Sequence, residues 1–104
     1  MSKSPNPARG EAALNVAGET LTLRPTFTAL VAAEEELGPL FARVERAAEG
    51  RLGIGETVAL FWHCLADPPE TLTRERLGEA VAGQGLAKVT PALRTLLSQI
   101  LQGR

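Results

Sequence analysis

From 12 to 24 apolar and polar residues alternate: Leu14 and Val16 flank Asn15, and Leu21 and Leu23 stand among Thr20, Thr22 and Arg24. A period of two marks strands with one buried face. A two-residue turn at Gly18-Glu19 pairs Val16 with Leu21 and Leu14 with Leu23, all on one face, whereas a three-residue loop splits the two sets. Glycine at the first loop position suits a type II′ turn. A hairpin over 12–24 is marginal alone in water, so its apolar face must lie on helices or on a partner. Pro25, which has no N–H to donate, ends the ladder.

Beyond Pro25 the period lengthens to that of helices, predicted over about 26–37, 39–49, 55–66, 73–83 and 89–102. Thr26 is the N-cap of the first and Gly38 its C-terminal stop. Phe27, Leu30, Val31 and Leu37 mark its inner face. Glu34 falls in that stripe with Arg24, Arg43 and Arg46 as candidate cations, while Glu35 and Glu36 point outward. Pro39 suits the first position of the second helix. There Leu40, Phe41, Val44, Ala47 and Ala48 face inward, and Arg43, Glu45, Arg46 and Glu49 face water.

The third helix is apolar over most of its circumference and is therefore the central one. Val58, Phe61, Trp62 and Leu65 recur at i, i+3, i+4 and i+7, with Leu60 and Cys64 as a second row. Phe61, Trp62 and Leu65 are expected among the most buried residues. Glu56, Ala59, His63 and Asp67 form a narrow polar strip, and Asp67, preceding Pro68, stops the helix. Thr73 caps the fourth helix between the staple residues Leu72 and Leu77; Leu77, Ala80 and Val81 face inward, and Gly83 and Gly85 end it. The last helix begins at Thr90-Pro91 or near Ala87 and carries Leu93, Leu96, Leu97, Ile100 and Leu101 at helical spacing. The fold class is α+β: an N-terminal β-hairpin followed by a compact bundle of about five short helices, as one domain over 9–104 behind a disordered tail over 1–8.

At 104 residues a core is thin, and 44% apolar with 22% charged residues is ordinary for a folded soluble domain. The net charge is −1 without a run of Lys or Arg, which argues against nucleic-acid binding and predicts weak salt dependence. No apolar run is long enough to span a membrane. The opening Met1-Ser2-Lys3-Ser4-Pro5 lacks an apolar secretory core, and a single Cys suits a reducing compartment, so a cytoplasmic location is expected. His63 and Cys64 are the only His and Cys. Neighbours in a helix diverge by about 100°, so they cannot act as a nucleophile–base pair, and a zinc site needs three or four ligands. His63 has Asp67 one turn beyond it. The glycines at 50, 53 and 55 lack the Lys-Ser/Thr of a phosphate loop and read as a helix stop, a turn and a helix start. No catalytic residue, cofactor or metal site is expected.

Arg9-Gly10-Glu11, the run Leu21-Thr22-Leu23-Arg24-Pro25-Thr26-Phe27, and Glu34 to Leu37-Gly38 resemble the gene-transfer-agent family of phage tail assembly proteins. Glu49-Gly50-Arg51-Leu52, the Trp-bearing helix and Gly85-Leu86 extend the resemblance over most of 9–101; the family's Asp-Gly or Asn-Gly hairpin turn is Gly18-Glu19 here. The resemblance implies a non-enzymatic tail assembly chaperone. Its partner is the tape measure protein, whose hydrophobic helices it covers, with the tail tube protein as a second partner. A structural tail component is the nearest alternative, and a small DNA-binding or regulatory module the third. The stripe on the last helix is wide for so small a core, which makes Leu97 and Leu101 the expected partner contacts, flanking Leu93, Leu96 and Ile100 in the core.

Overall fold

A computed structural model of the chain describes residues 11–16 and 18–103. The tail expected over 1–8 lies outside them. The elements run β1 (Ala12–Val16), β2 (Glu19–Leu23), α1 (Phe27–Leu37), α2 (Leu40–Ala48), α3 (Ile54–Cys64), β3 (Leu65–Ala66), α4 (Arg74–Gln84) and α5 (Leu86–Gln102). This is the α+β arrangement of hairpin and five helices, with a short third strand added.

β1 and β2 are antiparallel, but the register differs from the expected one: Leu14 faces Leu21, Ala12 faces Leu23 and Val16 faces Glu19. The glycine is therefore the second residue of a two-residue connection, and Gly18 takes φ +84°, where a side chain is strained. A slip of two residues in the pairing keeps every side chain on its face, so Ala12, Leu14, Val16, Leu21 and Leu23 are all buried. They lie against α5 and α4, which cover β1.

α3 ends two residues before its expected limit. Leu65 turns extended (φ −60°, ψ 128°), and Leu65 and Ala66 pair with Leu23 and Thr22 as β3. Arg24 N–H donates to the Cys64 carbonyl at 2.7 Å, so the end of the helix and the edge of the hairpin satisfy one another. Asp67 takes φ +49° ahead of Pro68, a left-handed conformation that Asp tolerates and that turns the chain away. The extra strand gives the hairpin the support a two-stranded sheet lacks.

α3 is the hub, packed on α1, α4 and α5. Phe61 is 0% exposed there and Cys64 is 1% exposed, but Trp62 and Leu65 are only half-buried against the core. Ala59, assigned to the polar strip, is buried instead. Being small, it fits where helices approach closely. α1 also buries an alanine, Ala33, with Ala29, Leu30 and Leu37 packed beside it. The expected inner residues Phe27 and Val31 thus belong to the other side of α1, and Phe27 is 83% exposed.

α2 buries Leu40 but not Phe41 or Ala48. Thr73 caps α4 as expected, accepting from Arg76 N at 3.1 Å. α4 runs through Gly83 and stops at Gly85, whose φ is +93°. α5 starts at Leu86, next to the earlier of the two expected starts, with Pro91 inside it. Leu77, Val81, Val89 and Leu96 complete the core from these two helices.

Candidate functional site

The corner between α1 and α2 sets the geometry of an exposed apolar surface. Thr26 Oγ1 accepts from Ala29 N at 3.1 Å and makes Phe27 the first helical residue. Gly38, at φ +84°, ends α1. Glu34 takes none of the expected Arg partners: its Oε2 accepts from Leu40 N at 3.1 Å and caps α2, where the free N–H groups of a first turn favour a carboxylate. Arg43, expected in water, is half-buried. Its Nε donates to the Leu37 carbonyl at 2.7 Å, and its guanidinium reaches Glu56 Oε2 at 2.7 Å, which Arg46 also contacts at 3.2 Å. Glu56 Oε1 accepts from Gly53 N at 3.2 Å at the start of α3. These contacts fix the rotation of α2, turning Leu40 inward and leaving Phe41 63% exposed.

The result is an open groove of about 460 Å³ between α1, α2 and the end of α5. Leu30 and Ile100 are its half-buried floor, and Phe27, Val31, Phe41 and Leu101 are its exposed walls. A second concavity, beside Arg24, Pro25 and Gln99, shares Phe27 as a wall. Other large exposed apolar residues, Ile54 and Leu86, sit at the first positions of α3 and α5. Scattered single apolar residues are normal on a surface, whereas a contiguous set of four makes this groove the candidate contact surface.

Leu101, one of the two expected contact residues, lies in this groove and is 53% exposed. Leu97, the other, is half-buried against the core. Phe27, Val31 and Phe41 were assigned to inner faces and are instead the groove's walls. A signal was present: Ala29, Ala33 and Leu37, at i, i+4 and i+8, form a second apolar row on α1, and α1 cannot bury both rows in one neighbour.

The polar chemistry lies elsewhere. His63 Nε2 is 2.8 Å from Glu36 Oε1, not paired with Asp67, and Arg74 bonds both Glu36 oxygens. The Arg74 and His63 hydrogen bonds hold the Glu36 carboxyl down to about 2. Burial pushes the Cys64 thiol up to about 12. Among the described residues no group of His, Cys, Asp or Glu could hold a metal, and no helix is long and apolar enough to cross a membrane.

The family model described as "Phage tail tube protein, GTA-gp10" matches residues 9–103, and the chain belongs to this gene-transfer-agent phage tail family. No curated protein and no solved structure matches it.

Proposed function

We propose that the chain is a cytoplasmic tail assembly chaperone without enzymatic activity, which holds hydrophobic helices of the tape measure protein until tail tube subunits replace it. The observation that carries this reading is the exposed groove walled by Phe27, Val31, Phe41 and Leu101. Helix-in-groove recognition uses partner anchors at i, i+3/i+4 and i+7, and such a groove accepts them. Covering Phe27 and Phe41 together contributes at most about 3–6 kcal/mol, which suits a hold that polymerising subunits can displace. The test is co-expression of the tape measure protein with the wild type and with Phe27→Ser/Phe41→Ser. Both side chains are largely exposed, so the variant is expected to keep its thermal midpoint and to leave the tape measure insoluble. Undiminished solubilisation by the variant rules the groove out.

The family description, which names the tail tube, favours a second reading, a structural tail component. A subunit polymerising head to tail needs two complementary surfaces, whereas a holding protein needs one, and the exposed apolar residues concentrate on one. Presence of the chain in purified particles, in numbers matching a repeating subunit, would decide for the structural role.

A further inference from the structure

We infer that the helix this groove takes is amphipathic and basic, with Lys or Arg on the flanks of its apolar stripe. The inference rests on the reading of the groove as the binding surface and adds the charge of what it binds. Glu34 lies in the groove wall. Glu35 and Glu45 stand four residues beyond Val31 and Phe41, hence on the same helix faces, and both are exposed. Among the described residues no cation lies within ion-pair distance of Glu35 or Glu45.

The cations of α2 are turned the other way, since Arg43 and Arg46 converge on Glu56. On α5 the exposed cation of the same face is Arg94, seven residues before Leu101 and so about 10 Å along the helix. Among the described residues three carboxylates on these faces stand against one guanidinium, with Arg24, beside Phe27, paired to Glu11, so the rim is acidic although the whole chain is close to neutral. Charges that look scattered along the sequence are thus sorted by the fold, and weak salt dependence no longer follows for this surface.

The dimensions agree with a helix as occupant. From Phe27 to Glu35, α1 rises about 12 Å, and partner anchors at i, i+4 and i+7 need about 10.5 Å. A partner seated on the apolar floor brings its flanking positions over Glu34, Glu35 and Glu45.

The experiment uses three synthetic helical peptides with identical Leu anchors and flanking positions that are all Lys, all Gln or all Glu. Binding to the full chain is read by fluorescence anisotropy at about 0.05 M and about 0.5 M NaCl, conditions between which screening rises steeply. The Lys peptide is expected to bind about tenfold more tightly than the Glu peptide at low salt, with most of the advantage lost at high salt. Glu35→Lys/Glu45→Lys is expected to reverse the order. Equal binding of all three peptides, lost together in Phe27→Ser/Phe41→Ser, overturns the acidic rim and leaves the groove as the binding surface. Absence of binding by every peptide, or binding indifferent to the two Phe substitutions, overturns the groove reading and the rim with it. Self-association of the chain that disappears in the Phe variant, without peptide binding, means that a second copy fills the groove, and overturns both as well.

Discussion

Cys64 shows how far position changes a residue's chemistry. At 1% exposure on the inner face of α3, with its thiol pushed up to about 12 by burial, it holds almost no thiolate at neutral pH. Thiolate is the reactive form. Alkylation by iodoacetamide at pH 8 is therefore expected to be negligible in the folded protein and complete once denaturant is added. Rapid labelling of native protein, followed by mass spectrometry, would contradict the burial. Cys64 and Phe61 were legible as core residues because both lie on the apolar arc of one helix. Leu65 was not, for a local reason: the helical arc stops at Cys64, where the chain leaves the helix to become β3, while Trp62, still within α3, is only half-buried. Periodicity says where a helix face points but not where an edge strand of a sheet takes the chain over.

At the scale of elements, Glu36 is the joint between α1, α3 and α4, since it accepts from Arg74 on one side and meets His63 on the other. Its folded pKa is depressed from 4.5 to about 2. A depressed carboxyl contributes stability that is fully present above its unfolded value and is lost as pH falls through the folded one. The thermal midpoint of the wild type is expected to fall between about pH 5 and pH 2 more steeply than that of Glu36→Gln. Parallel curves for the two proteins would mean that the joint contributes nothing. The pair is exposed enough to be screened, so the difference should shrink in high salt. Nothing in the sequence marks Glu36 and Arg74 as partners across 38 residues. The hairpin register, by contrast, was decidable. Glu11 Oε2 meets Arg24 Nε at 2.6 Å, and those two residues stand opposite each other only in the observed register, where position numbers sum to 35. The turn residues alone do not choose between the two registers, because glycine is acceptable at either loop position.

For the molecule as a whole, the order and type of the helices followed from spacing, caps and glycines, while the assignment of faces did not. A helix such as α1 carries two apolar rows, and only the packed fold decides which one meets α3. The small row, with Ala33, allows close approach and is buried; the large row, with Phe27 and Val31, is left over and joins Phe41 and Leu101. The proposed partner-binding surface is what remains apolar after the core has been filled, so it cannot be read from any single helix. This separates the two α5 leucines. Leu97 packs against the core at half burial, and Leu97→Ser is expected to cost about 1–3 kcal/mol of stability. Leu101 is 53% exposed in the groove. Leu101→Ser is expected to stay within about 0.5 kcal/mol of the wild type and to reduce solubilisation of the co-expressed tape measure protein. Chemical denaturation of both variants, read beside the soluble fraction of the partner, checks the assignment. If Leu97→Ser is as stable as the wild type and alone loses the partner, the contact runs along the flank of α5, and the walls formed by Phe27 and Phe41 are not the site.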